Sequence, residues 1–147
     1  MYRKILVPTD GSELSNKGIA EAARLANALG AKLLVLHVRS PLVVPHHVEG
    51  GALSSLGEEK IMQEIEDEER KLLDAATQIA ASIGIKAETA FIAGLLPYEA
   101  IIRVSQEEHC DLIVMASHGR RGVRGILLGS ETQKVLTHTG TSVLVVR

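Results

Sequence analysis

Residues 116–130 combine cations, glycines and hydroxyl side chains at spacings that suit the binding of a phosphate. The cations are Arg120, Arg121 and Arg124. They stand out because the whole chain carries a net charge of −2. Gly129 and Ser130 follow, where we expect the last helix to begin, and exposed backbone N–H groups at a helix start attract anions. The segment therefore predicts a polyphosphate site in which guanidinium groups and a helix N-terminus share the negative charge.

Two familiar phosphate-binding motifs do not occur at these positions. Gly129-Ser130 lacks the lysine of a Walker A loop, and the first predicted strand is followed by Thr9-Asp10-Gly11-Ser12 instead of a dinucleotide fingerprint. Gly119 permits a close approach between the backbone and a ligand. The hydroxyls of Ser130 and Thr132 can add donors. The site is therefore predicted from its glycines, arginines and helix start together.

Short apolar runs bounded by turn residues alternate with helical periodicity along the chain. Strands are predicted at residues 5–8, 32–38, 86–92, 111–115 and 142–146. Helices are predicted from Ser12 or Ser15 to Leu29, at residues 58–83 and 95–107, and from Gly129 or Ser130 to Thr137. This order implies right-handed crossovers and a mostly parallel sheet with helices on both faces. Residues 39–57 form a long predicted connection.

Two predicted strand ends carry the residues that could bind a ligand. In an open α/β sheet, ligands bind beyond the carboxyl ends of the strands, where the strand order reverses. Thr9 and Asp10 follow the first predicted strand, and Ala116 to Gly119 follow the fourth. If these two strands are neighbours, their loops face each other across a crevice, with the Asp10 carboxylate on one side.

The composition suits a single α/β domain spanning residues 1–147. Hydrophobic residues make up 46% of the chain and aromatic residues only 2%, so the core must be aliphatic. Cys110 is the single cysteine, and we expect it to be a buried small apolar residue in a reducing compartment. We expect His37 to lie in the core with its hydrogen bonds satisfied, and His118 to make a structural hydrogen bond.

Charge and hydropathy disfavour several kinds of partner. A net charge of −2 and few aromatic residues favour neither nucleic acid nor an anionic membrane surface. The apolar run Ile5–Val7 near the N-terminus is too short for a signal peptide, and no run approaches the roughly 20 apolar residues of a membrane span. We therefore expect a cytoplasmic protein without a nucleic-acid or membrane partner.

The chain resembles the universal stress proteins over essentially its whole length. The resemblance begins with the segment from Ile5 to Ser12 and ends with residues 142–147. Its most specific part is the family's ATP signature, which is Gly, two residues, Gly, nine residues and Gly-Ser/Thr. Gly119, nine residues and Gly129-Ser130 match the second half, whereas Ala116 stands where the family has its first glycine. Alanine adds one methyl group where the backbone approaches a nucleotide.

The resemblance implies a Rossmann-like fold, an open five-stranded parallel sheet of strand order 3-2-1-4-5, that binds ATP or another adenine nucleotide. The residues expected at the adenine and ribose are Pro8, Thr9, Asp10, Val38, Met115 and Ala116. Those expected at the phosphates are Gly119, Arg120, Arg121, Gly129, Ser130, Glu131 (through its backbone) and Thr132. Asp10 could also reach a Mg²⁺ ion that bridges the phosphates. Members of this family commonly dimerise through the last strand, so Val143–Val146 would pair across a two-fold axis.

Three functions are compatible with these residues. The first is a homodimeric sensor or regulator that binds an adenine nucleotide and signals during stress. The second is a slow ATPase at the same site, with the arginines as cations and Asp10 as metal ligand, although no residue stands out to position a water. The third is a nucleotide-independent interaction protein, for which Ala116 is the main argument.

Overall fold

Strands and helices alternate along the chain in a computed structural model, which describes residues 1–41, 55–119 and 128–147. The strands are β1 (Lys4–Thr9), β2 (Lys32–Arg39), β3 (Ala87–Ala93), β4 (Leu112–Ala116) and β5 (Ser142–Val146). The helices are α1 (Glu13–Leu29), α2 (Ser55–Ser82), α3 (Pro97–Glu107) and α4 (Ser130–His138). This alternation is the one predicted from the sequence.

The strands pair in parallel in the order β3-β2-β1-β4-β5. The chain runs outward from β1 to β3 and then returns through α3 to β4, on the other side of β1. The strand order therefore reverses between β1 and β4, and ligands bind at such a reversal. The predicted fold class and strand order are confirmed. Thr9 and Ala116 end the two strands that flank the reversal.

Each face of the sheet carries its own aliphatic cluster, because successive side chains of a strand point to opposite faces. Ile5 and Val7 of β1 pack with alanines of α1 and α2 on one face. Leu6 of β1 packs with Ile101 of α3 and Val135 of α4 on the other face. Helices therefore cover both faces, as predicted, and the central strands are buried on both sides, as in other parallel sheets.

Helix α1 has a defined residue at each end. The Ser12 side chain accepts a hydrogen bond from the Ser15 N–H at 3.1 Å, so Ser12 is the N-cap and Ser15 lies inside the helix. Gly30 ends the helix with a φ of 64°, a left-handed conformation that glycine adopts without strain. Because Ser12 also closes the turn after β1, α1 begins immediately behind the candidate site.

Some predicted boundaries differ from the observed ones. Helix α2 begins at Ser55 instead of residue 58, so part of the predicted connection is helical. In the sequence Gly57 indicates a helix break, but one glycine costs only about 1 kcal/mol in a helix. Helix α3 begins at Pro97 instead of residue 95, because proline suits the first helical position. Residues 42–54 of the predicted connection lie outside the described residues.

The single cysteine is structural. Cys110 is buried just before β4 and is a free thiol. Burial raises the pKa of this thiol to about 11, so it stays protonated and unreactive at neutral pH. The prediction of a small buried apolar residue is confirmed.

No helix in the described ranges is both long enough and apolar enough to cross a bilayer.

Candidate functional site

The turn after β1 uses the Thr9 hydroxyl for its own structure. This hydroxyl accepts a hydrogen bond from the Gly11 N–H at 3.2 Å and lies 3.1 Å from the Ser15 hydroxyl of α1. Thr9 is only 6% exposed. Gly11 has a φ of 76°, which glycine adopts without strain. Thr9 was expected at the adenine and ribose, and the structure shows its hydroxyl holding the turn that carries Asp10.

The Asp10 carboxylate faces the segment that follows β4. Its Oδ1 accepts a hydrogen bond from the Ser12 N–H at 2.9 Å, which orients the carboxylate within the turn. A Cβ atom built on Gly119 would overlap Asp10 Oδ2 and would lie 3.5 Å from its Cγ. Gly119 therefore allows the backbone to approach this carboxylate. The loops after β1 and β4 meet at the point where the strand order reverses.

Helix α4 begins directly against the backbone that leaves β4. The Gly129 N–H donates to the Ser117 carbonyl oxygen at 2.6 Å, and the Ser117 N–H donates to the Val146 carbonyl oxygen at 2.8 Å. A Cβ atom on Gly129 would lie 3.0 Å from His118 Cα and 3.2 Å from the Ser117 oxygen. The φ of Gly129 is −60°, so this position needs space and not an unusual backbone conformation. Glycine lets α4 start this close to β4.

Thr132 fastens the first turn of α4 to the end of β4. Its hydroxyl donates to the Ala116 carbonyl oxygen at 2.9 Å, and the residue is only 3% exposed. The sequence predicted that this hydroxyl would be a donor to phosphate. A hydroxyl has one hydrogen to donate, and here that hydrogen goes to Ala116. The Thr132 group that remains for a phosphate is its backbone N–H, whereas the Ser130 side chain is exposed.

The N-terminus of α4 presents backbone N–H groups at the carboxyl edge of the sheet. Those of Ser130, Glu131 and Thr132 belong to the first turn, which offers them no intrahelical acceptor. Among the described residues, no N-cap side chain bonds them. By contrast, Ser12 caps α1, and Glu131 accepts a hydrogen bond from the Tyr98 N–H of α3. A helix start whose N-cap is a glycine, beside a reversal of the strand order, has the chemistry to attract an anion.

The other residues expected at the adenine and ribose lie at the same edge of the sheet. Pro8 in β1 and Val38 in β2 are half-buried, and Ala116 is half-buried at the end of β4. Met115 is 5% exposed and packs in the core beside α3 and α4. Its side chain therefore belongs to the core, and its backbone lies next to Ala116 at the end of β4.

Two residues near the site were missed by the sequence prediction of the site. His37 donates from Nδ1 to the Thr9 carbonyl oxygen at 2.9 Å, and its ring stacks on Phe91 with centroids 5.9 Å apart. The predicted hydrogen bond of His37 is confirmed, but the residue is half-buried beside the end of β1 and does not lie in the core as expected. Gly18 of α1 lies close to β4, since a Cβ there would be 3.8 Å from the Ala116 nitrogen. His37 lies beside Thr9 because the parallel register of β1 and β2 pairs these two residues.

Cations and metal ligands complete the inventory of the site. Arg120, Arg121 and Arg124 lie outside the described residues. Within the described ranges, no cluster of three His, Cys, Asp or Glu side chains could hold a metal ion. Asp10 offers one carboxylate, whereas Mg²⁺ prefers several oxygen ligands and commonly takes some of them from substrate phosphates. The single carboxylate of Asp10 therefore fits a Mg²⁺ ion that takes its other ligands from a nucleotide.

Known proteins match the chain over its whole length. The model of the universal stress protein family matches residues 1–147. Universal stress protein YxiE of Bacillus subtilis is 34% identical over 149 aligned residues, with 100% of each chain covered. Universal stress protein MJ0577 of Methanocaldococcus jannaschii is 30% identical, with 100% of this chain and 96% of the relative covered.

Solved structures share the fold. A structure of MJ0577 has a TM-score of 0.79 at 27% identity, covering 99% of this chain and 96% of that one. A universal stress protein in complex with cAMP has a TM-score of 0.73 at 25% identity, covering 99% of this chain and 97% of that one. With the match to the family over residues 1–147, these similarities confirm the resemblance seen in the sequence. The chain belongs to the universal stress protein family.

Proposed function

We propose that this chain binds an adenine nucleotide, ATP above all, and acts in the cytoplasm as a dimeric sensor or regulator during stress. The observation that carries the proposal is the N-terminus of α4, where the N-cap Gly129 has no side chain to bond the first N–H groups. This helix begins beside the segment that meets Asp10. Its N–H groups supply the chemistry that binds a phosphate. A related universal stress protein was solved with cAMP, which supports the adenine nucleotide as ligand class. The buried thiol of Cys110 fits a reducing cytoplasm.

In this proposal the nucleotide lies across the carboxyl ends of β1, β2 and β4. The phosphates accept hydrogen bonds from the N–H groups of Ser130, Glu131 and Thr132. In this proposal they also lie close to the backbone at Gly119 and Gly129. The residues proposed for the adenine and ribose are Pro8, Thr9, Asp10, Val38, Met115 and Ala116. A Mg²⁺ ion carried by the phosphates would take the Asp10 carboxylate as one ligand.

Hydrolysis of ATP would place further demands on the same site. Phosphoryl transfer needs a positioned metal, a cation that stabilises charge and an oriented water. Asp10 could hold the metal, and Arg120 or Arg121 could supply the cation. His118 makes the structural contact expected of it, with Nδ1 3.2 Å from the Ser117 hydroxyl. The described residues therefore support binding more strongly than turnover.

Calorimetric titration of the purified chain with ATP, AMP and cyclic AMP tests the proposal. Phosphate release from ATP is then followed for hours in the same preparation. We expect binding of adenine nucleotide without phosphate release. Release that is lost in Asp10→Ala would identify a slow ATPase instead. No binding at millimolar nucleotide would contradict the proposal and favour a nucleotide-independent interaction protein.

The proposed dimer rests on the last strand. β5 lies at the edge of the sheet, so one side of it has no neighbour among the described strands. Leu144 on this strand is 42% exposed, and so is Leu136 of α4. An apolar edge strand tends to pair with another strand, and a two-fold axis covers both edges in a closed dimer. Two copies of the chain would therefore pair through Val143–Val146.

Leu144→Lys is expected to weaken this dimer by about fivefold, because it replaces apolar cross-strand contacts with like charges around the two-fold axis. Sedimentation velocity over a range of protein concentrations measures the change. Leu56→Lys is the control, since Leu56 on α2 is 71% exposed and its substitution should leave the dimer intact. A wild-type chain that sediments as a monomer at every concentration would contradict the proposed dimer.

A further inference from the structure

The carboxylate of Glu131 links the first turns of two helices. Its Oε2 accepts a hydrogen bond from the Tyr98 N–H in the first turn of α3, at 2.8 Å. Its Oε1 accepts a hydrogen bond from the Lys134 ammonium group at 2.9 Å. The Glu131 side chain is 34% exposed, so solvent screens its charge only in part. The charge is therefore held in a fixed place between α3 and α4.

Glu131 fills the end of α3 that would otherwise attract an anion. The N-cap residue Leu96 has no side-chain acceptor, and Pro97 at the start of the helix has no N–H. The N–H of Tyr98 is thus the first one that α3 can offer, and Glu131 accepts its hydrogen bond. The Glu131 carboxylate therefore offsets the partial positive charge at the start of α3. The start of α4 then remains available for a ligand.

The same carboxylate also adds negative charge to the helix start that would bind phosphate. Glu131 lies in the first turn of α4, so its backbone is within about 5 Å, along the helix axis, of the N–H groups of that turn. Lys134 follows on the next turn and forms an ion pair with it. The hydrogen bond to Glu131 raises the pKa of Lys134 above its ordinary value. The electrostatic field at the start of α4 therefore depends on the ion pair of Glu131 and Lys134.

We propose that Glu131 is a specificity-determining residue that lowers the affinity of the site for highly charged nucleotides more than for weakly charged ones. This inference rests on the proposed function. Coulomb repulsion grows with the charge of the ligand, and ATP carries about two more negative charges than AMP at neutral pH. Glu131 therefore narrows the advantage in affinity that a helix N-terminus gives to a triphosphate over a monophosphate.

Glu131→Gln removes the charge and keeps an acceptor for the Tyr98 N–H, because the glutamine side chain retains a carbonyl oxygen. We expect the ratio of ATP affinity to AMP affinity, measured by calorimetry at low salt, to rise by about fivefold. The increase should shrink at high salt, since mobile ions screen a charge effect. Loss of a helix cap would change both affinities without this dependence on salt.

Lys134→Met is the matched variant of opposite sign. It keeps the Glu131 cap on α3 and leaves the carboxylate without its cation, so the ratio of ATP affinity to AMP affinity should fall. If the wild type binds both nucleotides and neither variant changes the ratio, the inference is overturned and the proposed function stands. An equal loss of ATP and AMP affinity in Glu131→Gln would also overturn the inference, because it would mean that Glu131 serves only as a cap of α3. A wild type that binds neither nucleotide would overturn both proposals.

Discussion

Gly129→Ala is expected to weaken ATP binding by about tenfold to a hundredfold. The new methyl carbon would lie 3.0 Å from His118 Cα and 3.2 Å from the Ser117 carbonyl oxygen. Backbone atoms cannot rotate away as the end of a side chain can, so the first turn of α4 must move. Its N–H groups then lose their direction toward the phosphates. Hydrogen bonds to charged groups contribute about 1.5–3 kcal/mol each, which sets the size of the loss.

Gly140→Ala is the matched control for this substitution. Gly140 lies between α4 and β5, and a Cβ atom there meets nothing within 4 Å. We expect it to keep the affinity and the thermal midpoint of the wild type. Gly129→Ala should remain folded, with about 1–3 kcal/mol less stability from overpacking, which circular dichroism melts would show. Wild-type affinity in folded Gly129→Ala would contradict a phosphate site at the start of α4.

The alternation of strands and helices can be predicted because each strand is an aliphatic run with turn chemistry at its ends. The turn between β1 and α1 is formed by Thr9-Asp10-Gly11-Ser12, and α1 ends at Gly30, as these residue types indicate. Periodicity does not say which strands pair, so the strand order was predicted from the resemblance to the family. The start of α2 was misjudged at Gly57, because one glycine costs only about 1 kcal/mol in a helix.

Which polar atoms remain for a ligand cannot be read from the sequence. Thr9 is expected at the adenine and ribose and the Thr132 hydroxyl as a donor to phosphate, but their hydroxyls bond to Ser15 and to the Ala116 carbonyl. Such partners depend on contacts between different elements, which local patterns do not encode. Gly129 is predicted from the sequence as a phosphate contact, which stays a prediction, whereas its closeness to the Ser117–His118 backbone required the structure.

Side chains that act across elements were also missed. Glu131 was predicted to contribute its backbone alone, and its carboxylate proves to bond the first turn of α3. His37 was predicted to be structural, and the register of β2 against β1 places it beside Thr9 at the edge of the site. Both contacts follow from the packing of neighbouring elements. The sequence therefore predicted the strands and helices around the candidate site better than it predicted the contacts of their side chains.

Asp10→Asn is expected to remove the effect of Mg²⁺ on ATP binding. Asparagine keeps an oxygen that can accept the hydrogen bond from the Ser12 N–H, so the turn is preserved while the charge is lost. In the proposed complex of the wild type, the carboxylate would repel the phosphates when no metal is present and would share Mg²⁺ with them when it is. Calorimetry should therefore show that Mg²⁺ raises wild-type affinity by about tenfold and leaves that of Asp10→Asn nearly unchanged.

The two metal conditions separate the charge of Asp10 from its part in the turn. A carboxylate beside the phosphates requires that Asp10→Asn bind metal-free ATP more tightly than the wild type, and Mg²⁺–ATP less tightly. A general loss of folding would lower both affinities, so it cannot imitate changes of opposite sign. Glu13→Gln is the control, because the Glu13 side chain is 87% exposed in the first turn of α1 and pairs with Lys17. Wild-type affinities in Asp10→Asn under both conditions would mean that Asp10 serves the turn alone.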